Sequence, residues 1–180
     1  GLLIILRIDT KKQPAITENE LRTIVDVSHK EGVIESEERQ MITNVVDFGD
    51  SLAKDVMVPK MDVAFANVKL SYNELVECYS VDKFTRMPVY SESRDNVVGI
   101  INLKDLFFYQ GSKKDFSIAD VMREPYFTYE YKKISELFFE MKKKSIPMAI
   151  VLDEYGSTAG MLTIEDLIEE IVGEIRDEYD

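Results

Sequence analysis

Residues 97–107 read VVGIINLKDLF and residues 158–168 read TAGMLTIEDLI. Each is a short strand-like run, a glycine two or three residues in, and a polar residue (Asn102, Thr163) that opens an amphipathic stretch. Three further landmarks precede each copy in the same order. Asp55-Val56-Met57 recurs as Asp120-Val121-Met122, at the end of SLAKDVM and SIADVM, with Pro59 and Pro125 close behind. An amphipathic helix follows, Asn73 to Val81 in one unit and Ile134 to Lys143 in the other. A proline then opens a strand, in Arg86-Met87-Pro88-Val89-Tyr90 and in Ser145-Ile146-Pro147-Met148-Ala149. Four landmarks in one order, roughly 60 residues apart, define a tandem repeat. The expected fold class is α/β, two similar units packed about a pseudo-twofold.

Two acidic helices lead into the repeat. Thr17 opens the first, with Leu21, Ile24, Val25 and Ser28 at helical spacing until Gly32, and His29 falls in its last turn, where it suits the helix dipole. The second begins near Ser36 and ends at Gly49, with Met41, Ile42, Val45, Val46 and Phe48 expected on its inner face. Ahead of both lies GLLIILRI, residues 1–8, far short of the ~20 apolar residues that cross a bilayer. It reads as a terminal core element or as the stump of a membrane helix flanked by Lys11 and Lys12.

The 180 residues are 45% hydrophobic and carry 34 acidic against 22 basic side chains, a net charge of −12. A chain of this length can bury a core without staples, and Cys78, its single cysteine, packs as core filler. With one cysteine and one histidine there is no zinc site of several such ligands. The acidic balance argues against a phosphate-backbone binder, so no nucleic acid is expected as partner. There is no glycine-rich phosphate loop and no nucleophile–base set, so no catalytic residue is assigned and no enzyme is expected.

The tandem units resemble a pair of CBS (cystathionine beta-synthase) domains. DVMVPKMDV, FTRMPVY, VVGIINLKDL and DEYGSTAGMLTIEDLIEEIVGEI, together with the two acidic helices, are similar to the CorC/HlyC family, relatives of the CNNM magnesium transporters. The resemblance runs from about Thr17 to the end of the chain. It implies 1–16 as membrane-proximal stump or linker, 17–50 as helical lead-in, 51–112 as the first CBS domain and 113–180 as the second. It also implies an N-terminal transmembrane domain before this module and a C-terminal CorC/HlyC domain, of flavin-binding (FAD) type, after it. The module would then lie at the cytoplasmic face of the cell membrane, dimerise through its CBS pairs, and regulate a magnesium, cobalt or other divalent-cation transport domain.

Thr163 and Asp166 carry the candidate site. A Thr followed three residues later by an acid caps a helix, which is a structural role complete in itself. A helix N-terminus also suits an anion, and an Asp one turn in accepts from hydroxyls. In CBS pairs this Gly-x-x-Thr-x-x-Asp pattern reads the phosphate and ribose of an adenosine nucleotide. The resemblance completes the cleft with Val58, Phe84, Thr85, Arg86, Met87 and Pro88: Arg86 for phosphate, Phe84 and Met87 flanking the purine, and the backbone near Val58 reading its edge. The opposite cleft has Asn102 in place of Thr163 and Ser145 in place of Arg86, so it is expected to bind an anionic nucleotide poorly. The ligand implied is ATP with Mg²⁺, which offsets the acidic surface, or AMP or ADP. Two other readings remain open, a ligand-free dimerisation scaffold and a direct Mg²⁺ sensor.

Overall fold

A computed structural model describes residues 15–82 and 84–173. Leu2 to Ile8, and with them the membrane-stump reading, lie outside the described residues. The lead-in is a helical hairpin, α1 (Glu18–Lys30) and α2 (Ser36–Phe48). Thr17 caps α1 through a reciprocal pair with Glu20, the Glu20 amide donating to Thr17 Oγ1 at 3.2 Å and the Thr17 amide to the Glu20 carboxylate at 3.4 Å. Each repeat then runs short helix, one or two short strands, helix, antiparallel strand pair, helix. The first comprises α3 (Ala53–Val56), β1 (Val58–Pro59), β2 (Ala66–Asn67), α4 (Tyr72–Asp82), β3 (Arg86–Ser91), β4 (Ser93–Asn102) and α5 (Leu103–Phe107). The second comprises α6 (Ile118–Val121), β5 (Tyr126–Tyr129), α7 (Ile134–Lys144), β6 (Met148–Leu152), β7 (Thr158–Thr163) and α8 (Ile164–Val172).

The expected α/β class and duplicated architecture are present, but the repeats are not the packing units. One sheet has the order β2-β3-β4 and the other β1-β7-β6-β5, so β1 of the first repeat pairs antiparallel with β7 of the second. The exchange is mutual: Arg123, just after α6, forms a bridge with Ile100 of β4. The cores follow the same crossing. Ala53 packs with Ile134, Leu137, Met141, Leu162 and Leu167, whereas Ile118 packs with Leu75, Met87, Val89 and Ile101. Lys60 and the Thr158 amide, both on the β1–β7 side, hold the Asp95 carboxylate below its ordinary value of 3.8, Lys60 at 2.5 Å, and so link β4 to the other sheet.

Gly160 makes the β1–β7 approach possible. A Cβ there would stand 2.2 Å from the Val58 carbonyl oxygen, a backbone atom that cannot swing away. Gly160→Ala is therefore expected to destabilise the fold by ~1–3 kcal/mol, read as a lower urea midpoint.

One sequence expectation changes. Phe48 is buried, but Met41, Ile42 and Val45 are 37–52% exposed, because only one edge of α2 rests on α8. The strand expected to open at Pro147 begins at Met148, just after Ser145 caps α7 in the left-handed conformation, with φ 55°. Cys78 packs against the core that holds Leu75, Met87 and Ile118, as expected. No helix among the described residues is long and apolar enough to cross a membrane.

Candidate functional site

The end of β7 runs directly into α8, which places Thr163 as helix cap. The Asp166 amide donates to Thr163 Oγ1 at 3.1 Å, and the Thr163 amide donates to Asp166 Oδ2 at 2.9 Å. Both hydrogen bonds of the capping box are thus made by the protein alone.

Beside this cap is a cavity of about 230 Å³, lined by Phe84, Thr85, Arg86, Thr163 and three residues the sequence reading omitted, Met148, Met161 and Glu165. Strand β3 brings Arg86 there, and the Leu103 amide fixes the approach by donating to the Thr85 carbonyl at 2.8 Å. Arg86 Nη1 lies 3.9 Å from Glu165 Oε1, and Glu165 is the more exposed partner. Arg86 Nε is buried with no hydrogen-bond partner among the described residues.

The candidate residues therefore divide. Phe84, Thr85, Arg86 and Thr163 line the cavity, and Val58 backs it through its pairing with Met161. Asp166 sits one turn behind Thr163, held in the capping box. Met87 does not flank the cavity: it is fully buried in the first core beside Val89, and Pro88 is buried as well. Strand alternation carries the signal for this, since Met87 and Val89 must share the face opposite Arg86. Glu165 was legible too, as the residue between cap and Asp166, but only the fold shows that it faces Arg86.

The opposite cleft also departs from expectation. Asn102 is buried, and its side-chain oxygen accepts from the Lys104 amide at 3.1 Å. Ser145 lines the cleft where Arg86 has its counterpart, but a cation is present nonetheless: Arg123, from the position matching Val58. Its Nη2 donates to Asp105 Oδ1 at 2.9 Å. Among the described residues no group of three or more His, Cys, Asp or Glu side chains converges as metal ligands would.

Two crossed sheets, each with a helix-capping signature facing the other repeat's strand, define a pair of CBS domains, and residues 53–112 and 118–173 each match the CBS domain family. The solved CBS domain of a bacterial CNNM/CorC family Mg²⁺ transporter superposes with a TM-score of 0.84 at 34% identity, covering 90% of this chain and 99% of that one. The chain belongs to the CBS-domain pairs of the CNNM/CorC family. A second solved structure, the CBS domain of a bacterial CNNM/CorC transporter in complex with ATP, matches with a TM-score of 0.74 at 35% identity, over 77% of this chain and 99% of that one. UPF0053 protein YugS of Bacillus subtilis (strain 168) is 38% identical over 168 residues, 93% of this chain. The chain spans about two fifths (39%) of that relative's length. Its place is in a transporter family rather than an enzyme family.

Proposed function

We propose that the chain is the nucleotide-responsive control module of a membrane cation transporter. It binds ATP with Mg²⁺, with AMP or ADP as competitors, in the Thr163 cleft. Occupancy passes to a transmembrane domain that moves Mg²⁺ or a related divalent cation such as cobalt, with the module at the cytoplasmic membrane face and a CorC/HlyC domain following it. The α1–α2 hairpin, packed on α8 beside the cleft, is the relay. Ligand shifts such an equilibrium only by preferring one of two arrangements, and a coupling of ~1–3 kcal/mol suffices.

One observation carries this reading: Arg86 and the Thr163 cap line one cavity at the N-terminus of α8. The cavity is smaller than the ~300–1,000 Å³ of ordinary ligand pockets, so it encloses part of a nucleotide and leaves the rest open to solvent. Glu165 explains the metal. Phosphates on Arg86 would lie close to the Glu165 carboxylate, and a divalent cation, which favours phosphate oxygens with one or two carboxylates, offsets that repulsion.

Calorimetry of ATP with and without Mg²⁺ tests the reading. Binding is expected with Mg²⁺ and to weaken at least ~10-fold without it, a difference of ~1.4 kcal/mol. Glu165→Gln is expected to narrow that gap. At 100 times Kd the ligand should add ~2.7 kcal/mol of stability. Absence of heat at millimolar Mg-ATP would leave the scaffold reading, which the completed Thr163–Asp166 capping box supports.

The module is proposed to work as a homodimer. In the second unit the helical face is covered by the chain itself: Phe48 of α2 meets Phe138 edge-on at 6.0 Å, and the Asn44 side-chain Nδ2 donates to the Ile171 carbonyl at 3.1 Å. The corresponding α4–α5 face carries a groove of about 470 Å³ lined by Tyr72, Val76, Leu103, Leu106 and Phe107, and Phe107 is 80% exposed. A second copy of the chain is the occupant the duplicated fold provides. Phe107→Asp is expected to shift sedimentation from dimer to monomer, and an unchanged dimer would place the interface elsewhere.

A further inference from the structure

Helix α7 differs from its counterpart α4 in a way that packing does not require. Alignment of the two helices sets Leu75 against Leu137 and Tyr79 against Met141, all four buried. On that register Phe139 stands where α4 has Glu77, and Lys142-Lys143-Lys144 stand where α4 ends in Ser80-Val81-Asp82. Helix α4 meets its core with no aromatic ring and no cation at these positions, so the fold demands neither.

Phe139 is 66% exposed. Its ring meets Phe138 at 5.7 Å, and Phe138 meets Phe48 at 6.0 Å, so the exposed ring stands on a packed base. Phe139 and Lys143 lie one turn apart on the face opposite Ile134, Leu137 and Met141, with Lys142 beside them. Cations in a last turn suit the helix dipole, which accounts for the lysines but not for the ring that precedes them.

The charge of this face runs against the rest of the chain. Residues 132–144 hold five lysines and two glutamates, in a protein of net charge −12. Both glutamates are engaged: Lys132 Nζ lies 3.2 Å from Glu136 and 2.8 Å from Glu140, and the Tyr126 hydroxyl donates to Glu140 at 3.0 Å. Lys144 rests over the Tyr126 ring, 5.2 Å from its centre. Among the described residues no carboxylate pairs with Lys142 or Lys143, and both are exposed.

A soluble phosphate would use these cations and leave the ring in water. A bilayer of anionic lipid uses both, because aromatic rings settle at the headgroup level while lysine stems carry their ammonium groups to phosphate. We propose that this face of α7 docks on an anionic phospholipid surface, with Phe139 in the headgroup layer and Lys142 and Lys143 on lipid phosphates. The contact needs a membrane beside the module, as the function above supposes, but no nucleotide in the Thr163 cleft. Calorimetry of nucleotide and binding of vesicles can therefore fail separately.

Residues 1–8 are apolar enough to bring the chain to vesicles on their own, so the readout must be local to α7. The chain contains no tryptophan, and Phe139→Trp supplies a single indole at an exposed position. The 180-residue chain carrying it is titrated with phosphatidylcholine vesicles, with and without about one quarter phosphatidylglycerol, and with brominated lipid as quencher. With phosphatidylglycerol the emission is expected to shift to the blue and to be quenched. Phosphatidylcholine alone, or about 1 M salt, should abolish both effects. A lysine near an anionic surface is worth roughly 5-fold in partition, so adding Lys142→Gln/Lys143→Gln should weaken binding ~30-fold. Lys30→Gln/Lys69→Gln, an equal loss of charge at exposed positions elsewhere, should bind within ~2-fold of the Phe139→Trp parent. The proposal is overturned if the indole does not respond to phosphatidylglycerol, if it responds equally without that lipid, or if the two lysine pairs have equal effects. A blue shift that grows with protein concentration in the absence of vesicles would overturn it too, and give the face to a second copy of the chain.

Discussion

Arg86→Gln is expected to weaken Mg-ATP binding by ~10- to 100-fold while leaving the unfolding midpoint almost unchanged. The affinity loss follows from charge-assisted hydrogen bonds, worth ~1.5–3 kcal/mol, at ~1.4 kcal/mol per decade of Kd. The small effect on stability follows from its partner. Arg86 meets Glu165 at 3.9 Å, with Glu165 largely exposed, and such pairs contribute ~0–1 kcal/mol. Calorimetry and urea unfolding on one preparation separate the two quantities. Equal affinities for Arg86→Gln and parent would remove Arg86 from the site.

Leu167→Ala carries the largest expected cost in stability. Leu167 is fully buried one position beyond Asp166, among Phe48, Leu137, Met141 and Leu162. Deleting its isobutyl group leaves a cavity, and buried Leu→Ala changes cost ~2–5 kcal/mol. Against a total of ~5–15 kcal/mol for a domain, that is a large share. The urea midpoint should fall with little change in slope. The variant should also bind nucleotide less tightly, because α8 presents the Thr163 cap and its helix would settle into the void. Full stability would mean that α8 is held by its exposed contacts instead.

Much of this was legible in the chain, for identifiable reasons. The repeat shows because each landmark is local: a glycine that permits close approach, a cap residue, a proline, and a helical period. Thr163 shows for the same reason, as the cap and its acid are three residues apart. What local pattern cannot carry is which partner a strand chooses. The pairing of Val58 with Met161 joins residues about a hundred positions apart, and Glu165 opposite Arg86 depends on it. The counterparts of Thr163 and Arg86 do not reveal Arg123, because the cation of the opposite cleft comes from the counterpart of Val58. Met87 was a different matter: a methionine beside an arginine suggests a ligand wall, but strand alternation turns it into the core. The exposed side chains of α2 have another cause, since helical period predicts a face but not how wide a neighbour will cover it.

The crossing of strands between repeats bears on how such a protein could have arisen. A single ancestral unit, carrying its own leading strand, could complete its sheet only by lending that strand to a second copy and borrowing one in return. Two separate chains would satisfy this as an intertwined pair, and fusing their genes would then keep each copy permanently supplied. On that history the divergence of the two clefts is the part free to change, since the exchange at Val58 and Arg123 binds the copies together whatever each cleft comes to hold.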